Sequence, residues 1–209
     1  MVRFENKYLL ENKIQKFTFI KFLIINGFYS IYKKRHNQSV YFDDKDCSFF
    51  HSSEEGEEIR RKIRFRYYDN DSQKDISNFY LQIKKSNTHF KEKISYKFKD
   101  IHKSFDKELN MFINQIDIKK LKPVIKTSYI RSYFYSEKYG RITLDEDIIY
   151  EKASWKIFKK NFLFYNSVKT NKIIIEHKIE KNYQNFDHIP LTKTRYSKYC
   201  EAIKLLNIR

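Results

Sequence analysis

Glu58-Ile59-Arg60-Arg61-Lys62-Ile63-Arg64-Phe65-Arg66-Tyr67-Tyr68 alternates between cation and apolar residue along most of its length. In an extended strand, successive side chains point to opposite faces. One face then carries Arg60, Lys62, Arg64, Arg66 and Tyr68; the other carries Arg61, Ile63, Phe65 and Tyr67. Like charges in a row on one strand face repel each other. Such a row needs solvent along its whole length, or an anion among the charges.

The same spacing of two recurs along the chain. It is found at Glu5/Lys7, Lys62/Arg64/Arg66, Gln82/Lys84, Lys91/Lys93, Arg141/Thr143/Asp145 and Glu176/Lys178. Alternation predicts eight strands, at 2–8, 38–44, 58–68, 78–85, 90–97, 124–135, 140–148 and 172–179. Helical periods predict helices over 9–26, with Gly27 as its stop, 104–116 and 197–206. Residues 43–58 read as a loop or short helix, and 153–170 has no clean period. The chain is expected to be one domain over 1–209 of the α+β class, dominated by β-structure. A sandwich would bury apolar faces and leave one polar face per sheet. Charge on so many strand faces favours an eight-stranded antiparallel closed β-barrel, with charges in the lumen and flanking helices outside.

Composition narrows the function. The chain has 209 residues and a formal charge of +17, which points to a polyanionic partner: nucleic acid, membrane surface or phosphate polymer. Three glycines and two prolines argue against long linkers and disorder. Cys47 and Cys200 make no disulfide scaffold, so a reducing, cytoplasmic location is expected. The six histidines are scattered, without metal-site spacing. The most apolar run, 17–25, is short and broken by Lys21, so no membrane span is expected. The N-terminus, with Arg3 and Glu5, does not read as a signal peptide.

A lumen lined by Arg and Lys cannot be both dry and unpaired. Triphosphate or longer polyphosphate suits it, because each phosphoryl group accepts several charge-assisted hydrogen bonds. A few acids, Glu5, Asp145 and Glu176, lie among the bases. Glu176, between Ile175 and His177, is either a partner for a lumenal Arg or an oxygen ligand for Mg²⁺ or Mn²⁺ that also bridges phosphate.

Several segments together resemble the VTC domain. They are Arg3-Phe4-Glu5-Asn6-Lys7-Tyr8, Ser39-Val40-Tyr41-Phe42-Asp43, Lys62-Ile63-Arg64-Phe65-Arg66-Tyr67 and Tyr80-Leu81-Gln82-Ile83-Lys84-Lys85. Tyr129-Ile130-Arg131, Arg141-Ile142-Thr143-Leu144-Asp145, Ile174-Ile175-Glu176-His177-Lys178 and Ser197-Lys198-Tyr199 follow in order. The resemblance runs from residue 3 to about 205 and is closest to the stand-alone microbial type. It implies a triphosphate tunnel metalloenzyme, related to the CYTH phosphatases, that transfers the γ-phosphate of ATP to a growing polyphosphate chain with Mn²⁺ or Mg²⁺. It further implies catalytic roles for Lys7, Arg64, Arg66, Arg131, Arg141 and Lys178. Substrate binding falls to Lys84, Lys93, Lys198, Ser197 and Glu5, and metal binding to Glu176. Two positions depart from the pattern: Gln82 stands where the family usually has Glu, and Arg3 where CYTH relatives begin with Glu. One acid fewer favours a single metal and longer anionic ligands.

Two other functions fit the same residues. One is an inorganic triphosphatase. The other is a non-catalytic binder of polyphosphate or RNA, with aromatic residues as stacking surfaces. No RNA-module signature is present, so no specific nucleic acid partner is expected; the expected partners are ATP and inorganic polyphosphate. The sequence does not specify an oligomeric state.

Overall fold

The structure, a computed structural model, describes residues 3–69, 79–87, 91–98, 121–154, 166–180, 182–184, 186 and 189–208. Nine strands and three helices lie in these residues. In chain order they are β1 (Arg3–Leu10), α1 (Lys13–Ile25), β2 (Tyr29–Asp43), α2 (Ser48–Glu55), β3 (Arg60–Asp69) and β4 (Phe79–Ser86). Then come β5 (Lys91–Phe98), β6 (Lys122–Ser136), β7 (Gly140–Lys152), β8 (Ser167–Thr170), β9 (Ile173–Glu180) and α3 (Lys198–Leu205). The fold is α+β and β-dominated. Its hydrogen-bonded order is β1-β9-β7-β6-β2-β3-β4-β5, with β8 paired to β7. Among the described residues no pairing joins β1 to β5, so hydrogen bonds do not close the sheet.

Several expectations need correction. β8 is a ninth strand, inside the region with no clean period. β2 begins at Tyr29 rather than 38, because its first half is mostly exposed and charged and shows no apolar alternation. Leu9 and Leu10 continue β1 instead of opening α1, and Leu10 is buried in the core. α1 starts after Asn12, whose side chain accepts from Gln15 N at 2.9 Å. Of the two alternatives for 43–58, loop or short helix, the structure shows the short helix, over Ser48–Glu55, with Cys47 at the cap in a left-handed conformation. The helix expected over 104–116 lies outside the described residues.

Contacts divide the chain into two compact units, and each has its own core. The first comprises Met1–His36, Tyr129–Ile149 and Lys169–Tyr196. Here Phe19 and Leu23 of α1 pack with Tyr8 and Leu10 of β1, Ile142 and Leu144 of β7, Ile173 and Ile175 of β9, and Phe186. Burying each such side chain contributes about 1.5–3 kcal/mol. β6 and β7 turn through 137–139 into Gly140, which has φ +78°. A Cβ on Gly140 would stand 3.0 Å from the Lys178 carbonyl oxygen and 3.1 Å from Tyr183 Cδ2, so the position needs glycine twice over.

The second unit comprises Asn37–Ser128, Tyr150–Val168 and Ser197–Arg209. Its core joins Val40 and Phe42 of β2, Ile63, Phe65 and Tyr67 of β3, Leu81 and Ile83 of β4, and Ala153. The apolar face expected for β3 is therefore the buried one.

Candidate phosphate site

In the first unit, antiparallel register sets opposite charges side by side. Glu5 faces Lys178, which faces Arg141; Lys7 faces Glu176, which faces Thr143. All lie on the faces of β1, β9 and β7 opposite Tyr8, Leu10, Ile142, Leu144 and Ile175. The alternation that buries those apolar residues therefore also gathers the charges.

Glu176 is the centre of this group. Lys178 Nζ lies 3.2 Å from its Oε1, and Arg131 Nη2 lies 3.4 Å from its Oε2. Burial pushes its carboxyl up, but a hydrogen bond from Glu5 and the charges of Lys178, Arg131 and Lys7 prevail and hold it well below the usual carboxylate range. Lys178 is lowered as well, in its case towards the neutral form: burial lowers its ammonium, and Glu176 only partly offsets that. Lys7 Nζ donates to the Tyr196 carbonyl at 2.8 Å and lies 3.6 Å from Glu5 Oε1. Arg131 is gripped by Asp145, which accepts from Nε at 2.5 Å and from Nη2 at 2.7 Å. Burial works against the Arg131 charge, yet Asp145 keeps the guanidinium firmly protonated. Arg141 has a buried Nε with no hydrogen-bond partner, and so does the Thr143 hydroxyl.

Among the described residues, no group of three or more His, Cys, Asp or Glu side chains is placed to hold a metal ion. Mg²⁺ does not require one, since it keeps several waters and binds through one or two carboxylates plus substrate phosphates. Glu5 and Glu176, diagonal neighbours across β1 and β9, form such a carboxyl pair. The unsatisfied Thr143 hydroxyl stands opposite Glu176 in register. The donor set is all oxygen, which fits Mg²⁺ or Mn²⁺.

In the second unit, three strands share one charged face. Lys62 faces Lys84, which faces Lys93; Arg64 faces Gln82, which faces Ser95; Arg66 faces Tyr80. Arg64 and Arg66 are half-buried, whereas Lys84 and Lys93 are exposed. Gln82, only 4% exposed, accepts from Arg64 Nε at 3.1 Å and from Nη2 at 2.8 Å. Tyr41 Oη accepts from Arg64 Nη1 at 3.0 Å. Burial would raise the Tyr41 phenol, but the charges of Arg64, Arg66 and Lys198 bring it down to about 7. Lys198 is the first residue of α3. Ser197 caps that helix by accepting from Cys200 N at 3.3 Å, and also accepts from Lys62 Nζ at 2.8 Å.

Six of the residues expected from sequence thus stand in the first unit: Glu5, Lys7, Arg131, Arg141, Glu176 and Lys178. The other six, Arg64, Arg66, Lys84, Lys93, Ser197 and Lys198, stand in the second. Arg131 and Arg64 differ in kind. Arg131 faces two carboxylates, Asp145 and Glu176, while the partners of Arg64 are an amide oxygen and a phenol. Neither of these partners of Arg64 is a carboxylate, although the Tyr41 phenol turns anionic above about 7.

Sequence reasoning missed three contributors. Tyr41 lies in a quoted segment but carries no charge in sequence. Thr143 was seen only as spacing between Arg141 and Asp145. The grip of Asp145 on Arg131 could have been found, because the two residues are equidistant from Lys138 at the centre of the hairpin turn.

The family model of the VTC domain matches residues 2–207. No curated protein sequence matches the chain significantly. The PH1819 protein from Pyrococcus horikoshii has a similar fold, with a TM-score of 0.53 at 16% identity, covering 100% of both chains. A Vibrio parahaemolyticus protein provisionally named an adenylate cyclase aligns with a TM-score of 0.50 at 11% identity, covering 97% of each chain. Among the described residues no helix is long and apolar enough to cross a membrane.

Proposed function

The chain belongs to the VTC domain family, and on that premise we propose that it is a metal-dependent polyphosphate polymerase using ATP. The closed triphosphate tunnel implied by the family resemblance is part of this reading. The observation that carries it is Glu176, a buried carboxylate opposite Lys7, beside Lys178 and diagonally across from Glu5 on the neighbouring strand. A cluster of this composition suits a phosphate-bridging cation better than it suits a structural ion pair.

In the reaction, a terminal oxygen of the polyphosphate chain attacks the γ-phosphorus of ATP. One P–O bond forms, the bond from the β,γ-bridging oxygen to the γ-phosphorus breaks, and ADP leaves. The acceptor is already anionic, so no strong general base is needed. The residues supply alignment and charge neutralisation. Lys178 and Arg141 bind phosphoryl oxygens beside Glu176, and Lys7 adds a third cation. Arg131, already occupied by Asp145, orients the Glu176 carboxylate. Glu5 and Glu176 are the residues that would hold Mg²⁺ or Mn²⁺, with Thr143 opposite Glu176 in register. Bound there, such an ion would neutralise charge on the β- and γ-phosphoryl oxygens. Arg64, Arg66 and Lys198 form a further phosphate-binding set, in which Gln82 fixes the plane of the Arg64 guanidinium.

The test is the fate of label from γ-labelled ATP with Mn²⁺ present. Polymerase action places the γ-label in acid-insoluble polymer and leaves α-label in ADP. Release of all γ-label as free phosphate would instead favour a triphosphatase.

A further inference from the structure

In the second unit, β2 ends on a buried carboxylate. Asp43 is 0% exposed and lies two residues beyond Tyr41, on the same strand face. Its Oδ1 accepts from Asp44 N at 2.8 Å and from Phe49 N at 3.1 Å. Its Oδ2 accepts from Phe50 N at 3.1 Å and from the Tyr199 hydroxyl. Phe49 and Phe50 stand in the first turn of α2, and Tyr199 is the second residue of α3. One side chain therefore ties a strand end to two helices. Four donors on two oxygens suit the ionised carboxylate. Apolar side chains would pack a helix against a strand without the cost of burying a charge. What the carboxylate adds is direction, because it fixes how the Tyr199 ring is turned.

That ring is stacked on Tyr41, with centroids 5.3 Å apart and planes at 24°. The two stacked phenols meet opposite charges. Burial and the Asp43 carboxylate push the Tyr199 phenol far up, so it remains a donor. Tyr41 Oη accepts from Arg64 Nη1 at 3.0 Å. Tyr199 also follows Lys198 directly, and Ser197 caps the same helix, so what fixes Tyr199 fixes them as well. We propose that Asp43 and Tyr199 are positioning residues for the anion site of this unit. Their hydrogen bond locks α3 against the end of β2 and, through the stacked rings, holds the Tyr41 hydroxyl where Arg64 donates to it. The proposal rests on the reading of Arg64, Arg66 and Lys198 as a phosphate-binding set, and neither Asp43 nor Tyr199 touches the anion.

The test is Tyr199→Phe, which keeps the ring and leaves Asp43 its three backbone donors. Two readouts are taken on the full chain. One is the affinity for inorganic tripolyphosphate without metal, by calorimetry below the Tyr41 midpoint. The other is that midpoint itself, by ultraviolet absorbance without ligand. The affinity falls about fivefold. The midpoint moves up from about 7, because Arg64 and Lys198 lose their fixed places beside the phenol. Lys204→Met, which breaks the ion pair from α3 to Glu54 of α2, changes neither. An unfolded Tyr199→Phe chain, an unchanged midpoint, or equal effects from Lys204→Met would make the bond structural only and overturn the positioning role. So would an unchanged affinity where the wild type binds. If the wild type binds no tripolyphosphate and the midpoint still moves in Tyr199→Phe, the phosphate reading fails while the hold on Arg64 stands.

Discussion

Asp145 grips Arg131 through both carboxylate oxygens, and Asp145 itself is 0% exposed. A buried charge that loses its only close counter-ion is costly. Glu176, the second carboxylate on Arg131, is farther away at 3.4 Å and is shared with Lys178. Asp145→Ala should therefore lower stability by about 3–5 kcal/mol, measured by urea unfolding. Replacing both partners, Arg131→Met with Asp145→Leu, should recover most of that loss, because it removes the desolvated charges together. A loss in the single variant of less than about 1 kcal/mol would mean that the pair is not structural.

Gln82 holds Arg64 with a neutral oxygen. Gln82→Glu keeps the shape but places a carboxylate against the guanidinium, and an ion pair competes with an external anion. Tripolyphosphate affinity should fall about tenfold, with little loss of thermal stability. Unchanged affinity in this variant would remove Arg64 from the phosphate-binding set.

Tyr41 supplies a pH signature. Its phenol is lowered from 10.0 to about 7 in the folded chain. A depressed acid stabilises the fold above its unfolded value and loses that contribution as pH falls to the folded value. Raising the pH from about 7 towards 10 should therefore add stability from this group, and Tyr41→Phe should lose that slope. Ultraviolet absorbance of the phenolate should show one midpoint near 7, absent in Tyr41→Phe. Bound tripolyphosphate competes for Arg64, Arg66 and Lys198, so it should move that midpoint upward, with uptake of a proton. A midpoint that stays in place when the ligand binds would separate Tyr41 from the anion site.

At Gly140 the prediction concerns stability. Alanine would need a left-handed conformation and would press on the Lys178 carbonyl and the Tyr183 ring. A cost of about 1–3 kcal/mol in unfolding free energy is expected, and a neutral substitution would contradict the close approach.

The sequence exposed the fold most clearly where one strand face is apolar and the other charged. β3 shows this best: Ile63, Phe65 and Tyr67 are buried, as their alternation requires. The period fails for 29–37, where the residues are mostly exposed whichever way they point. At α2 it left loop and short helix open, and the helix that forms has its first turn satisfied from outside. Asp43 accepts from Phe49 N and Phe50 N, both at 3.1 Å, and no local cap marks the start in sequence. Charge spacing nominated Arg64, Lys178 and Glu176 for the site. Arg131 came only with the family resemblance, and neither route separated it, held between two acids, from Arg64, held by an amide oxygen and a phenol. That difference depends on cross-strand register, and spacing along one strand carries no register.

Polymer synthesis from ATP, with Glu176 at its centre, is the proposed function. The most direct measurement is gel analysis of the products formed from ATP and Mn²⁺ by the wild-type protein and by Glu176→Gln, whose carboxamide is a poor metal ligand. Polymerase function predicts a ladder of long polyphosphate from the wild type and none from Glu176→Gln, while both bind tripolyphosphate without metal. Free phosphate as the sole product, or an equal ladder from Glu176→Gln, would contradict it.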